Sequence, residues 1–521
     1  MRLILHIFRK DARHLYPEIL IVVGLTIAFA WAAPIQWLYS FNGPFVVSGD
    51  ITVFMAPILR VILPITWLML ITRLVHEESL VGDRQFWITR PYRWPILLAA
   101  KLLFLAVFLY LPFLFMQCYL LHHASLSILI AFPDLVRYNL RLTALYLLPV
   151  LAIATVTSTF AKQFLTILVS VAYIGLVTAA GSSLMSRRIA APGFDIACLA
   201  FAALVLVTVV LLQYALRRTR LSRLLLSGLP IILLIVVLAA PARVLIERAY
   251  PISSLTQPYS LAFDPDPLRR QPGSEEPLVV DRNIVISLPI QLKGLPSGVR
   301  LKGIGVALEL ETAQGFRWSS HYQLVNADLN ADYPNPTVDV LMPLSVFDRI
   351  RSTPVNFLLN IVFVRFETED AQTVPAQFPG FASPGNGICP VFSDGTINSC
   401  LYPLRFPAPV ELSAEVSDLP CLDSNRGPNR VAQSSVGSDQ DYLAFDFDPV
   451  ATSQVRLWKQ QNRPSLPRPA YLCPGATVTL RPQRVVSRER LSISQQEIVL
   501  GPYAKHLAQP NTTIVVRAPN R

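Results

Sequence analysis

Seven apolar stretches of about 20 residues within the first 246 positions, a change to two-residue alternation past Val279, and Lys and Arg gathered between the apolar stretches predict one architecture. It is an α-helical polytopic membrane domain followed by an all-β, sandwich-like extracytoplasmic domain. The 521 residues are 52% hydrophobic and only 15% charged, an unusual balance for a water-soluble chain of this size. The average conceals two halves. Through Ile246 there are 20 Lys and Arg against 8 Asp and Glu, a net of +12, and from Glu247 onward the net is −1. A basic excess of this kind can mark a nucleic-acid binder, but here it lies in short loops between apolar segments, where it sets topology instead. No nucleic-acid partner is expected.

A bilayer core of about 30 Å needs roughly 20 apolar residues of helix, and spans are expected near 18–38, 53–73, 96–120, 142–161, 163–185, 195–216 and 224–245. Only Lys162 and Gln163 part the fourth from the fifth, which then form either a tight hairpin or one broken element. With the amino terminus in the cytoplasm, fourteen Lys and Arg fall inside and four outside, the four being Arg137, Arg141, Arg187 and Arg188. That bias supports this orientation, and an odd number of spans then puts the carboxy-terminal domain outside; the chain is expected to be a multi-pass protein of a bacterial inner membrane with that domain periplasmic or extracellular. Trp31 to Trp37 with Pro34 reads as the outer end of a retained first helix rather than a cleaved signal. Residues 1–17 read as a cytoplasmic amphipathic helix on the bilayer surface, with Leu3, Ile4, Ile7, Phe8 and Leu15 near one face and Arg2, Arg9, Lys10 and Arg13 largely elsewhere. Arg60, between Pro57 and Pro64 near the outer end of the second span, is expected to snorkel to the headgroups.

The loop from 76 to 95 is the most specific short stretch. It mixes acids, a Gly break, aromatics and an Arg-Pro turn: His76-Glu77-Glu78-Ser79-Leu80-Val81-Gly82-Asp83-Arg84-Gln85-Phe86-Trp87-Ile88-Thr89-Arg90-Pro91, with Lys101 in the next span. The order of acid, Gly, short helix, Pro and Lys resembles the corresponding loop in permease subunits of type-2 ABC exporters, and the likeness extends over roughly residues 1–220. That resemblance implies a coupling helix docking into a separate cytoplasmic ATPase subunit, and a homodimer or a pairing with a sister permease. Glu77, Glu78, Asp83 and Arg84 would then supply polar docking and Phe86 and Trp87 a buried anchor, with Gly82, Arg90, Pro91 and Lys101 completing the pattern. A seventh span and a large external domain depart from the plain family, and Trp87-Ile88-Thr89-Arg90 stands where aliphatic residues more often precede the Pro. The alternative function is a non-transporting membrane anchor for a periplasmic β-sandwich binding or envelope-assembly module.

Residues 247–278, rich in Pro and acids, read as a linker, and 279–521 as the external domain, one sandwich or two split near 370–400. Ile284, Ile286, Leu288 and Ile290 alternate with more polar neighbours, as do Ile304, Val306, Leu308 and Leu310. Further strand signals fall at Val338 to Met342, Val355 to Glu367, Val410 to Val416, Tyr442 to Asp448, Val455 to Lys459, Ala476 to Arg481, Leu491 to Leu500 and Thr513 to Arg517. Cys389, Cys400, Cys421 and Cys473 lie in this half, an even number in a compartment that permits oxidation, and two disulfides are expected. Asp394-Gly395 favours Cys389 with Cys400, leaving Cys421 with Cys473. Cys118 and Cys198 read as small buried hydrophobes in spans.

No phosphate-binding Gly-x-x-x-x-Gly-Lys-Ser/Thr loop, nucleophile elbow, His-Glu-x-x-His pair or dinucleotide fingerprint occurs. The chain is therefore expected to have no catalytic residues, no cofactor and no metal, with any ATP hydrolysis coming from a partner. The acids Asp439, Asp441, Asp446 and Asp448 read as the solvated face of a strand.

Overall fold

A computed structural model of the chain describes residues 2–39, 52–78, 93–185, 194–252, 259–265, 279–280, 282–325, 327–329, 337–368, 370–375, 380–382, 388–390, 399–403, 410–417, 430–431, 447–454, 457–458 and 477–505. The chain divides into two compact units. The first holds residues 1–184, 195–239 and 369–484, and the second holds 185–194, 240–368 and 485–521. Segments from the carboxy-terminal half therefore belong to the helical unit.

The helices run α1 (Arg2–His14), α2 (Tyr16–Tyr39), α3 (Thr52–His76), α4 (Trp94–Leu105), α5 (Leu111–His123), α6 (Ile128–Leu142), α7 (Leu148–Val156), α8 (Phe160–Met185), α9 (Phe194–Leu216) and α10 (Thr219–Ala239). Seven spans are long and apolar enough to cross a membrane, at Tyr16–Ile35, Phe54–His76, Trp94–His123, Ile128–Val156, Phe160–Ala179, Ile196–Leu216 and Thr219–Ala239. The third and fourth each consist of two α-helices joined by a π turn, Ala106–Tyr110 and Thr143–Leu147. Each π turn is followed closely by a proline, Pro112 or Pro149. Proline has no N–H to donate and its ring collides with the carbonyl four residues back, so a locally widened turn lets the helix continue. A hydroxyl hydrogen bond between Tyr110 and Thr143 ties the two π turns together.

The fourth span differs from expectation. It begins at Ile128, so Arg137 and Arg141 ride on α6 rather than in a loop, and Arg137 lies 3.2 Å from Asp134 one turn away. These charges interrupt the apolar run on one face of an amphipathic helix without interrupting the helix. The break before the fifth span falls at Thr157, which is extended, and Lys162 is already inside α8. Arg223 at the start of α10 donates to the Val156 carbonyl at 3.1 Å, and so meets the broken end of α7.

The second unit begins with α11 (Ala242–Ala249). The strands are β1 (Ser260–Phe263), β2 (Val279–Val280), β3 (Asn283–Lys293), β4 (Val299–Thr312), β5 (Arg317–Ser319), β6 (Gln323–Leu324), β7 (Asp328–Leu329), β8 (Thr337–Pro343) and β9 (Val355–Thr368). They continue as β10 (Gln372–Pro375), β11 (Gly380–Ala382), β12 (Ile388–Pro390), β13 (Ser399–Pro403), β14 (Val410–Ser417), β15 (Arg430–Val431), β16 (Val450–Gln454), β17 (Leu457–Trp458) and β18 (Thr477–Ile498). In the second unit β1, β2 and β8 all pair antiparallel with β3. A second sheet pairs β5 with β4, β4 with β9, and β9 with the part of β18 from Val485 onward. Ile284, Ile286, Leu288 and Ile290 of one sheet share a buried core with Leu301, Val306, Leu308 and Leu310 and with Phe357, Leu359, Ile361 and Phe363 of the other. Two antiparallel sheets facing across one apolar layer make a sandwich.

Ile304 was expected in that core and lies on the opposite face, among the neighbours of Ile246 and Tyr250. The cause is a bulge: the pairing of β4 with β9 shifts between Gly303 and Gly305, which switches the inward set from odd to even positions. The closing turn Gly501–Tyr503 is held by the Gly501 N–H donating to the Arg351 carbonyl at 2.9 Å.

In the helical unit β11 pairs with β12, β13 with β16, and β14 with β15 and with β18 up to Arg484. Thr477 to Arg481 and Leu491 to Ile498 of two expected runs thus share one long strand, β18. The run at Thr513 to Arg517 lies outside the described residues. Substituting Gly501→Ala would bring a Cβ to 2.5 Å of the Arg351 carbonyl oxygen. Such overpacking is expected to cost about 1–3 kcal/mol, read as a lower unfolding midpoint of the second unit in the detergent-purified chain.

Candidate functional site

The α1 end of the helical unit carries a closed set of four charges. Ile7 and Leu15 are buried, and Asp11, spaced four residues from each, shares their face. Phe8 stacks on Phe108 with ring centroids 5.5 Å apart, and α1 therefore packs against the third span. Asp11 is wholly buried and so needs a partner. Lys101, in α4 and 2% exposed, supplies it, with Nζ 2.9 Å from Asp11 Oδ2 and 3.5 Å from Glu78 Oε2. Lys10 Nζ completes the set at 3.0 Å from Glu78 Oε1 and 3.4 Å from Asp11 Oδ1. Two ammonium groups and two carboxylates alternate, so the assembly is neutral although largely buried.

Two further pairs flank it. His14 Nε2 lies 3.2 Å from Glu77 Oε2, and Glu18 pairs with Arg73. His76, the last residue of α3, is 3.2 Å from the Ala154 carbonyl and 3.4 Å from the Thr157 hydroxyl at the end of the fourth span. Burial alone would raise the Glu78 pKa, but Lys101 and Lys10 outweigh it and hold the group below its ordinary 4.5. Burial would likewise lower Lys10, and here Glu78 and Asp11 outweigh it, so its pKa is raised from 10.5.

Of the loop residues named from the sequence, Glu77, Glu78 and Lys101 are brought together at this end of the helices. Gly82, Asp83, Arg84, Phe86, Trp87, Arg90 and Pro91 lie outside the described residues. Asp11 was missed because the amino-terminal helix was read for its basic residues; an acid in step with Ile7 and Leu15 was the available signal.

A second ion pair, with its acid buried and its base half-buried, was also missed. Asp448 is wholly buried rather than solvated, and its Oδ2 lies 3.6 Å from Arg60 Nη2. Arg60 therefore has an acidic partner where snorkelling was expected. Of the cysteines, Cys389 is buried in β12 and paired in register with Phe381, and Cys400 lies in β13. Cys421 and Cys473 fall outside the described residues. Cys118 and Cys198 are half-buried thiols. Among the described residues no three His, Cys, Asp or Glu side chains gather as a metal site would require.

Comparison with protein-family models, with curated proteins and with solved structures gives no match.

Removing one member of a buried ion set leaves the other charge without compensation, and Lys101→Met is expected to destabilise the helical unit by about 3–5 kcal/mol. Asp11→Asn combined with Lys101→Met should cost less than the two single changes summed, as a double-mutant cycle on the detergent-purified chain would record. The set also fixes a pH window. Because the Glu78 pKa is depressed, its contribution is present above the unfolded-state value and disappears as pH falls through the folded one. Lys10, being raised, contributes fully below 10.5 and loses its contribution as pH climbs through its folded value. Thermal midpoints should be flat near neutrality and fall at both extremes, and Glu78→Gln should flatten the acid limb.

Proposed function

We propose that this chain is the permease-like membrane subunit of an ABC exporter, coupled to a separate ATPase through the cytoplasmic loop 76–95. The observation that carries the reading is the charge set at the roots of that loop: Glu77 and Glu78 at its start, and Lys101 just beyond its end, are tied to α1 and to one another. Force applied by a partner to such a loop would pass to α1 and to the second and third spans together, whereas a slack connection would absorb it. A mere anchor has no need of loop roots fixed by buried charge, which is costly to assemble.

Two features fit an arrangement of helices that changes during a cycle. Gln163, Gln213 and Ser222 are buried with side-chain polar atoms that have no partner among the described residues. Each such atom costs about 1–3 kcal/mol, and a second packing of the helices would relieve the cost by giving it a partner. The fifth and seventh spans are left almost wholly uncovered by the other described residues, which suits contact with lipid and with a second permease, either another copy or a sister chain.

In this reading α1 is cytoplasmic, the membrane is the bacterial inner membrane, and the β-sandwich is periplasmic. Buried Cys389 on β12 and Cys400 on β13 would form one disulfide there, and Cys421 with Cys473 another.

The test is affinity purification from the native membrane in mild detergent, with Gly82 to Pro91 replaced by a Gly/Ser linker in a parallel sample. Glu77, Glu78 and Lys101 are kept, so the charge set is undisturbed. An ATPase subunit should accompany the natural chain and be depleted by about tenfold or more from the linker variant, as loss of a buried anchor predicts. Should no ATPase accompany either, the chain would be an anchor for its β-sandwich.

A further inference from the structure

A segment from the β-rich half of the chain enters the helical unit. Phe447, Val450 and Leu401 are buried in the same apolar cluster as the spans; Leu401 lies on β13, Val450 opens β16 and Phe447 precedes it. The Phe447 ring meets Trp67 of the second span edge-on at 5.0 Å and Phe113 of the third at 5.6 Å. Counting 1.5 Å per residue from Phe54 and His123, these two side chains sit about 15–20 Å from the span ends nearer the β-rich segment. That is well inside a hydrocarbon core of about 30 Å.

Asp448 follows nearer the span ends, beside Trp37, which lies just past the first span, and Arg60, near the start of the second. Its Oδ2 accepts a hydrogen bond from Trp37 Nε1 at 2.7 Å and faces Arg60 at 3.6 Å, while Oδ1 accepts the Val450 N–H at 3.0 Å. Removing a carboxylate from water is expensive even when it is paired, and Asp448 is wholly buried. A purely structural filler would be apolar. Phe447-Asp448 instead presents an aromatic group joined to an anion, and the walls answer it part for part: Trp67 and Phe113 for the ring, Trp37 and Arg60 for the charge. Trp67 Nε1 is buried with no acceptor among the described residues, so the walls hold one donor more than this segment uses.

The geometry points to a binding site for an anionic amphiphile, formed by Trp37, Arg60, Trp67 and Phe113 and occupied in this structure by Phe447-Asp448 as a tethered competitor. The ligand class is an apolar tail ending in a carboxylate, phosphate or sulfate. Its tail replaces Phe447 and its anion replaces Asp448. The site does not rest on coupling to an ATPase; it would exist equally in a receptor or an anchor.

The test uses the full-length chain in phosphatidylcholine nanodiscs with a diazirine derivative of decanoate as photoprobe. A competitor that occupies the site most of the time lowers apparent affinity by the unoccupied fraction, so Phe447→Ala/Asp448→Asn should raise labelling of the peptides bearing Trp67 and Phe113 by about tenfold over the natural chain. Unlabelled decanoate should compete and decyltrimethylammonium should not, and adding Arg60→Gln should abolish the gain. Competition by phosphatidic acid built into the disc would assign the ligand to the bilayer, and competition by decanoate alone would assign it to a soluble amphiphile. Equal labelling of the natural chain and the variant, or equal competition by the cation, overturns the proposal. Should the variant fail to fold, the natural chain decides: decanoate must speed amide exchange of the peptide containing Val450, and unchanged exchange overturns the proposal.

Discussion

The helical unit depends on the burial of Asp11. An aspartate on the inward face of an amphipathic helix cannot remain there alone, because removing a carboxylate from water costs several kcal/mol. It demands Lys101 from the third span, and Lys101 in turn is shared with Glu78 at the end of the second. The amino-terminal helix is thereby joined to two spans by a charge requirement as well as by the packing of Phe8 on Phe104 and Phe108. Hydrophobic contact alone would allow α1 to slide over the helices; paired charges with alternating sign allow one register.

The same logic recurs where Asp448 meets Arg60. In both places the chain accepts the cost of buried ions to hold in position segments that the spans themselves do not require: α1 in one case, the stretch before β16 in the other. The sandwich of the second unit follows a different principle. Its core is an uninterrupted apolar layer between two antiparallel sheets, and α11 is fastened to the β4, β9 and β18 sheet from outside by Ile246 and Tyr250 and by Arg490 on Glu247 at 2.9 Å.

Much of this was legible in the sequence. Seven spans follow from apolar length alone, and the inward residues of β3 were readable from their two-residue period, because both signals are local. The fourth span was displaced because Asp134, Arg137 and Arg141 break an apolar run without breaking a helix. Ile304 was misplaced because a bulge at Gly303 to Gly305 changes parity without any period signal. The ion pairs were the least legible. Asp11 and Lys101 are 90 residues apart, and Arg60 and Asp448 lie in opposite halves of the chain; no window of sequence contains both members. Helical phase offered a partial clue for Asp11, through Ile7 and Leu15, and nothing comparable existed for Asp448.

Buried charge, rather than an apolar face resting on lipid, holds α1 to the second and third spans. Amide exchange of α1 in nanodiscs, compared between the natural chain and Lys101→Met, tests it most directly. In the natural chain α1 is expected to be protected to the same degree as the spans it joins, and Lys101→Met is expected to release α1 while leaving the sandwich unchanged. Protection of α1 that survives the substitution would contradict it and would return α1 to an ordinary interfacial helix.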